Sequence, residues 1–225
     1  MSASVSGGYT GDVAVGGPAD VRELPWLTIT KLAVSDMANN AYLLRDPSTG
    51  KALLIDAAAD PEALLTLIGD ADLRTVVTTH GHWDHHRALP DVVEATGAET
   101  VAHAADAGDL PVPVTRTVAH GDQVTVGGQS LEVIHLRGHT PGSIALVWRG
   151  PGNAGVHLFT GDSLFPGGVG NTQKDAARFT SLIDDVEQRL FAVLPDETWV
   201  YPGHGGDTTL GAERPHLAEW RARGW

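Results

Sequence analysis

Between residues 80 and 86 the chain reads HGHWDHH, four histidines and a carboxylate in seven positions. At the end of an extended strand, alternate side chains point the same way, so His80 and His82 share a face. Asp84 and His85 follow where the chain turns and offer a second cluster. His139, Asp162 and His204 come far downstream, each in a short loop flanked by Gly or Pro and just after an apolar, β-like run. With His139 added to the first pair and His204 to the second, each of two metal ions has about three protein ligands, and Asp162 is placed to bridge them. An open position then remains for water, which separates a catalytic metal site from a closed structural one. Alone, a heptad of this kind reads equally well as a solvated turn. Three further ligand residues in matching loops leave that alternative little room.

Such a set needs a sizeable fold to bring it together. The chain has 225 residues, 42% of them hydrophobic, enough for one well-cored domain and short for two. With no cysteine, neither disulfides nor thiolate ligands contribute. Imidazole and carboxylate alone suit zinc first, with iron or manganese as further options. The formal charge of -13 disfavours nucleic acid as a partner, because non-specific binding to a phosphate backbone is cationic. The N-terminus lacks a basic start followed by an apolar core, and no apolar run approaches membrane-spanning length. A cytoplasmic protein without a membrane partner is the expectation, and the oligomeric state is left open.

Residues 1–22 are rich in Gly and Ser without a sustained period and read as a mobile or loosely draped arm. Residues 23–225 read as the single domain. Within it, WLTITKLAV (26–34) alternates as a strand, and NAYLLRD and KALLID flank the turn DPSTG as a hairpin. Asp60 and Pro61 open a short helix, with Asp60 as its cap. LRTVVTT (73–79) is a buried strand that delivers the chain to His80. A helical pattern interrupted by Pro90 ends at Gly97. Two further hairpins precede His139 and Asp162, the first joined at Gly127 and Gly128. The stretch 175–194 has helical spacing and reads as the longest helix. A strand at 198–204 and a last helix containing Pro215 complete the chain. Strands come in runs, each followed by helix, and the pattern occurs about twice. Two facing sheets with helices outside each, a four-layer αβ/βα sandwich of the α/β class, would bury these faces.

His80, His82, Asp84, His85, His139, Asp162 and His204 match the HxHxDH, H, D, H pattern of the metallo-β-lactamase superfamily. Within it TTHGHWDHH, GHTPGS, FTGDSLF and PGHGGDTTLGAER look most like glyoxalase II and its single-domain relatives, over residues 26–214. The resemblance implies the same sandwich, two divalent metal ions on those seven residues, and hydrolysis of a small thioester or ester. Metal-bound water, its pKa lowered from about 15.7 towards about 7, would attack a carbonyl carbon. Asp84 would be both ligand and proton acceptor.

Several neighbours bear on this chemistry. Asp56 ends an apolar strand, and its carboxylate is expected to hydrogen-bond a ligand imidazole, with a helix cap as the rival role. His86 is expected to line the pocket or support a ligand rather than bind metal. His135 could reach the pocket edge, whereas His103, His120, His157 and His216 lack ligand spacing. Trp83 is expected to pack under the loop. Gly167, Gly168 and Gly170 suggest a close-fitting loop above the metals. Beyond them, Asn171 and Gln173 stand where the resemblance to glutathione-using glyoxalase II calls for Lys and Tyr. The chain also ends soon after His204, without the helical domain that completes a glutathione pocket. Both departures weigh against hydroxyacylglutathione and leave thioester or ester hydrolysis untouched. A lactonase is a neighbouring possibility. A mononuclear-iron sulfur dioxygenase, using His80, His139 and Asp162 on a persulfide, is the competing class.

Overall fold

Seven strands pair in chain order to form the first sheet: β1 (Asp20–Glu23), β2 (Thr28–Val34), β3 (Asn39–Arg45), β4 (Lys51–Ile55), β5 (Asp72–Val77), β6 (Glu99–His103) and β7 (Arg116–Val118). Steps from β1 to β4 are antiparallel and steps from β4 to β7 parallel. The structure is a computed structural model that describes residues 8–224. In the second sheet β8 (Gln123–Val126), β9 (Gln129–His135), β10 (Ile144–Arg149) and β11 (Val156–Gly161) form a meander. A two-strand ribbon, β12 (Leu164–Phe165) with β13 (Gly168–Val169), stands apart. Next, β14 (Trp199–Pro202) pairs parallel to β11, and β15 (Thr208–Thr209) closes the edge.

Strict alternation sorts the apolar side chains into layers. From β3 and β4, Tyr42, Leu44, Leu53 and Ile55 face inwards and meet Leu131, Val133, Leu146, Trp148, Phe159 and Tyr201 of the other sheet. The intervening Ala41, Leu43, Ala52 and Leu54 face outwards, under α1 (Pro61–Ile68) and α2 (Leu89–Thr96). On the second sheet, Ile134, Ala145, Val147, Leu158 and Val200 lie under α3 (Ala176–Val186), with α4 (Leu210–Glu213) and α5 (Leu217–Arg223) adding Leu210 and Trp220. The layers therefore run helix, sheet, sheet, helix, as the sequence predicts. Phe159 is fully buried in the central layer, so truncating it to Ala would cost about 3–5 kcal/mol. Among the described residues no helix is long and apolar enough to cross a membrane.

The topology places the chemistry. β4 and β5 are parallel neighbours, as are β11 and β14. Loops leaving parallel neighbours emerge at the same edge, where open α/β sheets characteristically bind ligands. Asp56 and His80 follow the first pair, and Asp162 and His204 follow the second.

Some expectations need correcting. Of the arm assigned to residues 1–22, residues 1–7 lie outside the described residues, but Tyr9 to Glu23 are neither loose nor strandless. Asp20 accepts hydrogen bonds from the backbone N–H of Thr10 and Gly11, and β1 pairs with β2. Order there comes from contacts to distant residues, which glycine-rich composition does not reveal. Pro90 sits in the first turn of α2 and does not interrupt it, because a first-turn residue needs no N–H partner. Asp60 adopts a left-handed conformation and makes no side-chain cap. Its carboxylate instead accepts from Ser35 N. The long helix is shorter than its pattern: α3 ends at Val186 and a π turn carries Glu187–Phe191.

Candidate metal centre

Asp56 is where the strands hand over to the site. At the end of β4 it takes φ 58°, unusual for a non-glycine residue, which turns its carboxylate towards the end of β5. Oδ1 accepts from Thr79 N at 2.7 Å, and Oδ2 accepts from the Thr79 hydroxyl at 2.8 Å and from His85 Nδ1 at 2.8 Å. Since the Thr79 hydroxyl spends its proton on Asp56, its lone pair accepts from His80 Nδ1 at 3.0 Å. One carboxylate thus orients two imidazoles, and the helix-cap alternative for Asp56 falls away. His139 Nδ1 donates to Asn171 O at 2.9 Å, and His204 Nδ1 to Met37 O at 3.0 Å.

With each of these Nδ1 atoms facing an acceptor, the neutral form of the four imidazoles turns an unprotonated Nε2 inwards. His80 and His139 bring theirs to 3.3 Å apart, His85 and His204 to 3.2 Å. Bare lone pairs at that separation repel one another unless a cation lies between them. The carboxylates converge on the same space. Asp84 Oδ2 lies 3.4 Å from His204 Nε2, and Asp162 lies 3.3 Å from His85 Nε2, 3.5 Å from His204 Nε2 and 3.7 Å from His139 Nε2. Asp162 Oδ1 is buried and accepts no hydrogen bond. Three groups have donor atoms close enough to hold an ion: His80, His82 and His139; Asp84, His85 and His204; and, between them, His80, His85 and Asp162.

The local field favours positive charge. Burial opposes a proton on His85, yet Asp56 and Asp162 push its pKa up to about 10. Burial likewise opposes charge on His204, but Asp84 and Asp162 raise it. Asp84 is pushed up by burial and held well below the usual carboxylate range by bonds from His204 and Asn39. Burial lowers His80 and brings His139 down to about 4, so both are neutral imidazoles at pH 7. Imidazole and carboxylate donors, a buried carboxylate oxygen without a bond and an excess of negative field all fit divalent metal ions.

The remaining predicted residues take varied places. His86 is buried and its Nε2 lies 3.3 Å from Gly81 O, so it supports the metal loop from behind. Asn171 meets the site through its carbonyl, while its side chain accepts from Gln173 N. Gln173 itself is exposed, in a left-handed conformation. His135 stacks on His103 at 4.0 Å and bonds to Pro141 O. Trp83 does not pack under the loop: it is 58% exposed, with Arg87 over its ring at 4.7 Å. Its ring is engaged by the Arg87 guanidinium at the surface instead. Of the three glycines, Gly170 is the close-fitting one, where a Cβ would lie 1.8 Å from Asp162 O and 3.0 Å from His139 Nδ1.

Three residues escape sequence reading. Asn39 Nδ2 donates to Asp84 Oδ2 at 2.9 Å, beside His204 Nε2 at 3.3 Å. Asp106, buried, clasps the two loops of the first cluster by accepting from Gly81 N at 2.9 Å, Gly142 N at 2.6 Å and the Thr140 hydroxyl at 2.5 Å. Arg178 donates to Gly138 O at 2.8 Å and to His139 O. Only the pairing of NN at 39–40 with a following strand offered any signal, and that pattern is common.

The metallo-beta-lactamase superfamily model matches residues 34–204. A hydroxyacylglutathione hydrolase of Fuscovulum blasticum is 38% identical over 169 residues, covering 74% of this chain and 62% of that protein. The chain therefore spans less than two thirds of that relative. Among solved structures, ETHE1 from Myxococcus xanthus superposes with a TM-score of 0.73 at 32% identity, covering 86% of this chain and 84% of that one. TTHA1623 in a di-iron-bound form gives 0.66 at 30% identity, covering 82% and 96%.

Proposed function

The chain belongs to the metallo-beta-lactamase superfamily, and we propose that it is a dinuclear metal-dependent hydrolase of a small thioester or ester. The observation that carries this reading is the convergence of four Nε2 atoms and two carboxylates on one space. His80, His82 and His139 would hold one ion, Asp84, His85 and His204 the other, with Asp162 between them. Zinc is the ion proposed. When bound, such ions acidify water to a nucleophile at neutral pH and polarise a carbonyl oxygen.

The chain's own residues supply the rest. Asp56, directly and through Thr79, fixes two imidazoles in the tautomer that presents Nε2. Asp84, ionised at neutral pH and oriented by Asn39, would accept the proton of the attacking water. Trp83 and Met37 offer exposed apolar edges beside the ligands, against which an acyl group would lie. Neither Asn171 nor Gln173 presents a charged grip, which favours a substrate other than hydroxyacylglutathione. One observation favours the dioxygenase alternative: His139 Nε2 lies 3.3 Å from His80 Nε2 and 3.7 Å from Asp162 Oδ2, so these three residues would suit a single iron.

The test is steady-state hydrolysis of S-lactoylglutathione, simpler acyl thioesters, aryl esters and acyl-homoserine lactones by zinc-loaded protein, beside a His204→Ala variant. Thioester or ester turnover that needs two ions and disappears in the variant is the expected result. Lactone turnover alone would make it a lactonase. One iron per chain with oxygen uptake on a persulfide would overturn the hydrolase reading.

A further inference from the structure

The loop that carries His204 is held by a buried cation. Lys31, on β2 and with no exposed surface, donates to Gly205 O at 2.8 Å, to Gly11 O at 2.6 Å and to Asp207 Oδ1 at 2.7 Å. The other oxygen of Asp207 accepts from the Tyr9 hydroxyl and from Trp199 Nε1, each at 2.7 Å. Asn40 Nδ2 adds a bond to Gly205 O at 2.9 Å. Tyr9 packs edge-on to Trp199, and the Arg22 guanidinium lies over both rings, at 4.3 and 3.8 Å. Gly11 has φ 75°, and a Cβ there would fall 2.5 Å from the Asp207 carboxylate carbon. The N-terminal segment is therefore fitted against the residues just past His204 with no room between.

We propose that Tyr9, Gly11, Lys31 and Asp207 form a latch through which the N-terminal segment positions His204 and sets the affinity of the second ion. The proposal rests on the two-ion reading above. His204 is one residue from the carbonyl that Lys31 holds, and its own ring is fixed from the other side by the carbonyl of Met37, in an exposed turn. The ring therefore inherits its position from the latched backbone. A ligand must sit within about 0.5 Å of its working geometry to count. The first cluster is clasped by Asp106, which touches none of the latch residues. Loosening the latch should spare the first ion and weaken the second.

The experiment is calorimetric titration of metal-free, full-length protein with zinc, with cobalt substitution to read the ligand field of each ion. Wild type is compared with Tyr9→Phe, which removes one bond to Asp207, and Gly11→Ala, which wedges the segment off it. Val126→Ala, in the sandwich core, is the control for general destabilisation. Wild type is expected to take two ions. Both latch variants should fill the first with unchanged affinity and bind the second about tenfold more weakly or worse, with altered cobalt bands for that ion alone. The control should keep both. Unchanged affinity for both ions in the latch variants, equal weakening of the two, or loss of the second ion in the control would overturn the latch while the two-ion reading stands. A wild-type chain that takes a single ion would overturn both.

Discussion

The two clusters of potential metal donors are close in space and differently supported. His80, His82 and His139 sit on loops drawn together by one buried carboxylate, Asp106, whose three partners all lie between residues 81 and 142. Asp84, His85 and His204 depend on segments at opposite ends of the chain: Asn39 from β3, Met37 beside it, and the Lys31–Asp207 pair beneath the final loop. One half is a compact clasp and the other is assembled from afar. A site with a single chemistry can thus be rigid in one part and adjustable in the other, because local opening follows local contacts.

Four measurements break or sharpen that contrast. The largest effect belongs to the piece both halves share: Gly170→Ala drives a methyl group into Asp162 O and against His139. Overpacking of backbone should cost more than about 3 kcal/mol and abolish binding of both ions, read by thermal denaturation and metal content. Retention of either ion would show that the two halves fold and bind independently of this glycine. Next, Asp106→Ala strands the backbone N–H groups of Gly81 and Gly142, while the Thr140 hydroxyl keeps Ser143 as a partner, a loss of about 3 kcal/mol. It should weaken the first ion selectively, the reverse of the latch variants. Asn39→Ala removes the donor to Asp84 and should cost about 1–2 kcal/mol, with weaker binding of the second ion and reduced turnover in the same titrations.

The smallest effect concerns pH. His157 accepts from the Tyr201 hydroxyl and donates to Ala154 O, so its neutral form is fully satisfied. Burial lowers its pKa to about 4 from 6.5. The stabilisation is complete above pH 6.5 and is lost as pH falls towards 4, because the unfolded chain binds the proton first. Between pH 7 and 6 the change is under about 1 kcal/mol. Urea denaturation of His157→Gln should show a flatter pH dependence than wild type across that window. Since Tyr201 also touches Tyr9, the loss should be felt on the side of the second cluster.

What the sequence displayed follows the same division. The converging imidazoles and carboxylates were legible because metal chemistry admits few side chains, and the sandwich because alternation along β3, β4, β9 and β10 demands two buried faces. Asp56 was legible from its place at a strand end. Asp106, Asn39 and the Lys31–Asp207 pair were not: each is an ordinary polar residue whose role depends on loops far away in the chain. The N-terminal segment was misread for a related reason. Its glycines suggest looseness, while Tyr9 and Asp20 find partners that no local pattern specifies. Trp83 departs from expectation because a large aromatic residue is usually buried, whereas here its ring pairs with Arg87 at the surface.

Asp56 carries one consequence beyond support. Its single charge is shared by His85 directly and by His80 through the Thr79 hydroxyl, and these two imidazoles, which meet at Asp162, each also belong to one of the two outer clusters. An ion drawing electron density from one ring makes that ring's N–H a stronger donor to the shared carboxylate, which then has less to offer the other. With the two proposed ions, occupancy of the two positions would therefore be coupled through the protein as well as through space, and loading would be cooperative in the negative sense: the second ion would meet poorer donors than the first.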